Sequence, residues 1–571
     1  MNKTLKCPVR RSIIASARPD ESIRTLKEKN NLQPHHRSLD WINLILMMFL
    51  PVSGLAVLIL GQDASWDLRN YHFYNPYAFL NGRMGHDIAV GHVASYYNPL
   101  MHVPFYYAVT ALPPKAVGFL LGLIPACNLF PIFAITRRTI GTASTSSIAW
   151  FCLAATLLGF LGAANLSEIG TSFGDNILSL VVLAAFYLIL AQWERLKSGT
   201  VGLAVAVFAG VLCGSAIGLK QPFAIYAVGM CVAFFGLDAP FWRRFYLAFL
   251  FGVGVLAGTA ATGGFWLLEM WHRFGNPLFP YFNQIFQSPW AAPAPYRDDR
   301  FIPRGPWQWL FFPFLFNANP MRVGEIWFRD LRFPLLYLLL LGLLIKTLVI
   351  WKKPCLSDSE DRPDESNRYR GRFLLIFMAV AFITWMKMFA IYRYLVVLEF
   401  LAPLAIFMIC SKLFSRPGRQ KIAALATFAL ILFTVMPGAW GRRPWADDYF
   451  GIKAVMPSIP RQSLVLTTGY DPMAYMIPYF PPEVRFLRIQ GFLTGPSDTP
   501  NDTDRLMQRI VAEHTGPLFI LHRSYEARSA TAALEAYGLT IKTGECRTMT
   551  PHVEPQQEHP FYFCAVEEKE K

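Results

Sequence analysis

The sequence predicts an α-helical polytopic membrane protein with an α/β domain at its C-terminal end, and three observations carry that expectation. Only 16% of the 571 residues are charged while 54% are hydrophobic, whereas a soluble chain is about a quarter charged. Apolar stretches near the roughly 20 residues that a bilayer requires recur along the chain. After Trp440 the composition turns into that of a soluble fold.

Taken in order, Met1 to Asp40 is polar and basic and reads as a disordered cytoplasmic tail. Trp41–Gly61 is long enough to span and lacks a small-residue cleavage site behind it, so it reads as a retained first helix rather than a signal peptide. Further spans are expected at Lys115–Thr136, Ser144–Ala164, Asn176–Trp193, Val201–Leu219, Gln221–Leu237, Phe245–Leu268, Pro334–Trp351, Phe373–Trp385, Leu395–Lys412 and Ile422–Trp440. That makes about eleven spans within residues 41–440. The outer loops 62–114 and 269–333 are long, aromatic and rich in proline. Within the second, "GNPLFPYFNQIF" and "GPWQWLFFPFLF" are apolar but too broken to span, and should lie along the interface. In 441–571, "SLVLTTGY", "EVRFLRI", "GPLFILH" and "FYFCAVE" alternate as strands do, with helices expected over Asp502 to His514 and Ser529 to Tyr537.

The net charge of +15 is explained by where the bases fall. With the tail inside, the cytoplasmic connections hold Arg137-Arg138, Arg195 and Lys197, Arg243-Arg244, Lys352-Lys353 with Arg370 and Arg372, and Lys412 to Lys421. That satisfies the positive-inside rule and leaves no need for a nucleic-acid partner. It gives an N-terminus in the cytoplasm and a C-terminal domain on the outer side, and the expected location is a cell inner membrane with that domain in the periplasm. The nine cysteines show no metal-site spacing. Cys546 and Cys564 alone fall in the outer domain, in what read as neighbouring strands. There they are either a disulfide, which could persist outside and be worth about 3 kcal/mol, or two buried thiols.

Ionisable residues at membrane depth are costly and are functional candidates. Asp63, Asp67, Arg69, Glu168, Asp175, Lys220, Glu269, Lys387, Arg393 and Glu399 all fall near outer ends of spans. Snorkelling would place charges at both ends, mostly as bases; a mixed set on one face suits a polar cavity opening outward. If Asp63 to Tyr74 is helical, Asp63, Asp67, Asn70, Tyr71 and Tyr74 share one face, Pro76 ends or kinks the helix just beyond, and Tyr96 and Tyr97 close the same wall. A carboxylate in that aromatic setting suits general-base work. Lys220, Lys387 and Arg393 are donors without partners nearby in sequence and suit an anionic ligand such as a phosphate. The bland alternatives are structural: Asp67 paired with Arg69 or capping its helix, and Arg393 paired with Glu399.

This pattern resembles the GT-C superfamily of polytopic glycosyltransferases, which includes the protein mannosyltransferases and aminoarabinose transferases. "DLRNYHFYNPYAFLNGR" supplies Asp67, Tyr71, Ala78, Leu80 and Gly82 in the order of the family's first outer loop. "GDNILSL", "GLKQP" and "YRYLVVLEFLAP" look like later family elements and give Asp175, Lys220, Arg393 and Tyr394. The chain departs from the family in lacking its Asp-Glu pair, since Leu68 follows Asp67, and in placing its late proline at Pro403. Asp63 therefore stands as the alternative base. The resemblance implies transfer of a sugar from a polyprenyl-phosphate carrier to a lipid, glycan or protein acceptor, with inversion. In that scheme a carboxylate, Asp67 or Asp63, takes the acceptor proton. Lys220, Arg393, Lys387 and Tyr394 hold the donor phosphate. Arg69, Tyr71, Tyr74, Tyr96, Glu168 and Asp175 line the cavity. Some family members bind a divalent metal (magnesium or manganese) without a strict need for it; Asp67 and Asp175, with Glu168, would be its ligands here. The competing readings are a transporter or flippase for lipid-linked saccharides, which would show internal repeats and broken helices at the midplane, and an O-antigen polymerase or ligase.

Overall fold

Residues 21–141, 146–350 and 365–569 are described by a computed structural model. Among them, seven helices are long and apolar enough to cross a membrane: those within Asp40–Leu60, Pro114–Ile140, Val201–Leu219, Phe241–Phe274, Arg332–Val349, Ser366–Met388 and Tyr392–Leu413. The shorter apolar helices Ser146–Phe160, Asp175–Ala191 and Gln221–Gly236 accompany them, and Pro417–Thr434 follows. Each expected span thus has a helical counterpart, as it must where lipid offers the backbone no hydrogen bonds. The Pro114–Ile140 segment breaks at Cys127-Asn128, with Pro125 and Pro131 on either side removing backbone donors.

Three helices are longer than expected, among them Phe241–Phe274, which extends the expected Phe245–Leu268 at both ends. The first in chain order runs from Glu21, so residues 21–40 are helical backbone rather than an irregular tail. The short Phe373–Trp385 stretch is the middle of a Glu365–Met388 helix whose opening turns are polar. Residues 1–20, Lys352-Lys353 and the whole acidic stretch before Glu365 lie outside the described residues. The helices Val201–Leu219 and Phe241–Phe274 approach backbone to backbone, because Gly210, Gly214 and Gly218 face Gly254, Gly258 and Gly263, where a Cβ would meet main-chain atoms.

Past the first helix the chain does not continue as one helix. β1 (Gln62–Asp63) pairs antiparallel with β2 (Arg442–Arg443), which ties the first outer loop to the start of the C-terminal domain. A single π-helical turn follows at Leu68–His72, and a new helix, Tyr74–Leu80, takes Pro76 into its first turn, where proline is tolerated. The sequence expectation of one continuous helix from Asp63 to Tyr74, ended by Pro76, is therefore corrected. Of the two broken apolar segments, Gly305–Ala318 is a helix, whereas Asn283–Phe286 is all that winds in the other.

In the C-terminal domain, β3 (Leu464–Thr467), β4 (Arg485–Arg488), β5 (Leu518–Arg523), β6 (Leu539–Met549) and β7 (Phe561–Glu568) form one sheet in the order β4-β3-β5-β7-β6. β3 lies parallel to β4 and β5, whereas β7 runs antiparallel to β5 and β6. The helices Asp502–Glu513 and Ala527–Glu535 match expectation, the first with an Asn501 capping box. Cys546 and Cys564 sit opposite one another on β6 and β7 and are joined as a disulfide. This domain shares its core with the membrane part: Leu68, Phe73 and Tyr77 pack with Phe450, Tyr475 and Phe486. Ile88 adds a parallel bridge to Leu487 at the sheet edge, and Trp266 and Met270 join the same packing layer.

Candidate functional site

Two ion pairs between distant segments form the cluster. Arg393, in the 3₁₀ turn Tyr392–Leu395, donates from Nη1 to Asp67 Oδ2 at 2.7 Å. Lys220, where Val201–Leu219 ends, places its Nζ 2.7 Å from Asp175 Oδ1 and donates to the Phe173 carbonyl at 3.0 Å. Gly174, at φ +77° in the left-handed region, turns the chain so that Asp175 opens the next helix. Aromatic faces join the two pairs: the Arg393 guanidinium stands over Phe173, Tyr394 and Trp440 at 4.5, 5.3 and 5.6 Å, and Lys220 stands 5.5 Å from the Tyr394 ring. All four charged side chains are at most one-seventh exposed.

Tyr71, on the π turn after Asp67, is buried edge-on against Tyr97 and His102, and Tyr97 shares a hydrogen bond with Tyr281. Burial, reinforced by Asp67, holds the Tyr71 phenol protonated well above its usual range. Beneath lies a stacked imidazole pair, His72 on His102 at 4.0 Å. Burial lowers both; His72 is pressed further by His102, and His102 falls to about 3 with Lys220 nearby. Glu168 ends the short helix Ala163–Glu168 and is buried, with neither carboxyl oxygen partnered among the described residues. Burial, then the charge of Asp175, raises it well above the carboxylate range against the pull of Lys220 and Arg393, so it is neutral. That helix is anchored by Glu399, which accepts from the Ala164 and Asn165 amides at 3.0 Å each and faces Arg332 at 3.4 Å.

Asp67, Asp175, Lys220, Arg393, Tyr394, Tyr71 and Glu168 thus come together. Other candidates do not join them. Asp63 accepts from the Ser65 amide at 3.0 Å and from the Ser172 amide and hydroxyl at 2.9 Å each, and it pairs in β1 against Arg442. It does not share a helix face with Asp67. Arg69 leaves the cluster for Glu554 of the C-terminal domain at 2.6 Å. Tyr74 donates to Asp87 at 2.8 Å, in a knot with Arg83. Tyr96 packs edge-on against Phe274 and Phe279. Lys387 is exposed, with no ion pair among the described residues, and Glu269 pairs with Arg273. Asp67 is not paired with Arg69, nor Arg393 with Glu399. Sequence reasoning missed His72, His102, Phe173 and Trp440; the signal lay in "NYHFY" and "PLMHVP", two histidines inside aromatic, otherwise apolar runs.

Among the described residues no group of three or more His, Cys, Asp or Glu side chains could hold a metal ion. Asp67 and Asp175 are each engaged by a base, so the expected ligand set of Asp67, Asp175 and Glu168 is not arranged here for a divalent cation.

Fold and site together define a multi-pass membrane protein with an α/β domain docked on one face, and a mixed-charge, aromatic-walled cluster at that end of its helices. Among solved structures it is similar to ArnT from Cupriavidus metallidurans in the apo state, at 15% sequence identity and a TM-score of 0.40, over 92% of this chain and 98% of that one. No family model matches the chain, and no curated protein matches it. The reading of the cluster rests on its own contacts.

Proposed function

We propose that the protein is an inverting glycosyltransferase that moves a sugar from a polyprenyl-phosphate carrier to an acceptor hydroxyl at the outer face of an inner membrane. The observation that carries this reading is the Asp67–Arg393 pair beside the Lys220–Asp175 pair. Two acids and two bases then lie within one aromatic-walled patch at the domain-facing end of the helices. Asp67 is the better base of the two candidates. Both Asp63 oxygens are committed to backbone and serine donors, whereas among the described residues Asp67 has one hydrogen-bond partner, Arg393, itself a cation that a phosphate can claim.

In the proposed step the acceptor O–H gives its proton to Asp67 as its oxygen attacks the anomeric carbon. The bond from that carbon to the carrier phosphate breaks on the opposite side, and the leaving phosphate keeps the electron pair. Arg393 and Lys220 stabilise the growing charge. The neutral state of Glu168 matters here. With it uncharged, two acids balance two bases, and an incoming anion does not meet a net negative site.

The test is labelled-sugar transfer from a polyprenyl-phosphate donor by the purified protein in nanodiscs. Wild type should release polyprenyl phosphate, while Arg393→Ala and Lys220→Ala should bind the carrier more weakly. Passage of intact donor across vesicles with no sugar released would favour the transporter reading instead.

A further inference from the structure

At the end of the Glu365–Met388 helix remote from Arg393, a cavity of about 400 Å³ opens between that helix and the last turn of Val396–Leu413. Arg368, Arg372 and Lys412 line it together with Tyr369, Leu375, Ile376 and Ala379. Arg368 and Arg372 act on Lys412 as like charges. Among the described residues none of the three has a carboxylate partner. The backbone carbonyls that end Val396–Leu413 do not need Lys412, because Lys346 Nζ donates to the Lys412 and Leu413 carbonyls at 2.8 Å each. Arg368 and Arg372 are exposed at the mouth and Lys412 is half-buried, so an anion arriving at this membrane face meets three like charges that attract it together.

The order of residues along the helix says what kind of anion. Arg368 and Arg372 occupy its first turns, and Leu375, Ile376 and Ala379 continue the same face inward. At the helical rise, Ala379 lies about 10 Å deeper than Arg372. A basic ring above an apolar wall matches a phosphate headgroup above an acyl chain, and a free phosphate would leave that wall unused. We infer that this cavity binds the headgroup of an anionic phospholipid at the membrane face opposite the docked domain. The inference is independent of the reading of the outer cluster.

The test places the purified protein in nanodiscs of equal parts phosphatidylcholine and phosphatidylglycerol and counts retained lipid by native mass spectrometry. Wild type should retain phosphatidylglycerol in preference. Each charge lost should lower that retention about fivefold, so Arg368→Gln/Arg372→Gln/Lys412→Gln should lower it about a hundredfold. Arg368→Lys/Arg372→Lys should keep it, and Ala379→Phe, which fills the apolar wall with every charge in place, should reduce it. Thermal melting of each variant checks folding. Wild type without headgroup preference, or a preference that survives the triple substitution, overturns the proposal. So does inorganic phosphate that binds in phosphatidylcholine discs as well as the lipid does. Lipid binding that emerges only after Asp358, Glu360, Asp361 and Asp364 are neutralised would give the cavity to the chain's own acidic stretch, and would also overturn it.

Discussion

Glu554→Ala should loosen the C-terminal domain from the first outer loop. Glu554 is fully buried, accepting from Arg69 at 2.6 Å, from Tyr475 at 2.7 Å and from Arg523. Asp471 would still hold Arg523 at 2.6 Å, so the charge left stranded is that of Arg69, itself 6% exposed. Breaking a buried pair costs roughly 3–5 kcal/mol, and the remaining Arg523–Asp471 pair puts the expectation near the lower end. For a unit of about 130 residues that is a fall of roughly 10 °C in melting temperature. Scanning fluorimetry and protease sensitivity of the purified protein should both report it. Arg69→Met/Glu554→Met removes both charges and should recover much of the loss, since the cost lies in the unpaired charge rather than in the absent pair. A Glu554→Ala protein that melts at the wild-type temperature, or a double variant worse than the sum of the singles, would refute the docking role.

Three further outcomes are expected. His102, neutral in the fold down to about pH 3 but titrating near 6.5 when unfolded, contributes stability that is present above about pH 6.5 and lost as pH falls toward 3. The slope is at most about 1.4 kcal/mol per pH unit, and His102→Gln should flatten the pH dependence of melting over that window. Gly214→Leu should abolish the folded protein, because its Cβ would meet the Val255 carbonyl, and main chain cannot yield as a side chain can; folded yield by size exclusion reads this. A reporter fused after Trp440 should lie outside and one placed after Ser357 inside; the same side for both would contradict the assigned orientation.

Spans were legible because membrane length and apolarity are local properties of the sequence. Where local pattern stopped deciding, the reading failed in traceable ways. Helical spacing grouped Asp63 with Asp67, but β1 pairs with Arg442-Arg443, a partner no window around Asp63 contains, and a π turn resets the face after Asp67. Arg69 and Tyr74 carry the right chemistry at the right spacing, yet Glu554 and Asp87 claim them. Lys220 and Arg393 were legible as bases without nearby partners, although the acids that meet them lie 45 and 326 residues away in sequence (220 − 175 and 393 − 67). Phe450, beyond the change of composition at 441, packs with Phe73 of the first outer loop, a contact no local window contains.

The central claim is that Asp67 takes the acceptor proton. The most direct measurement is the rate of sugar transfer from a polyprenyl-phosphate donor by Asp67→Asn and Asp63→Asn proteins, with carrier binding measured in parallel. Losing a general base costs about 10² to 10⁴ in rate, so Asp67→Asn should lose that much while keeping its fold and its affinity for the carrier, and Asp63→Asn should be milder. Transfer by Asp67→Asn at near the wild-type rate, with Asp63→Asn inactive, would assign the chemistry to the other carboxylate; full activity in both would contradict the glycosyltransferase reading itself.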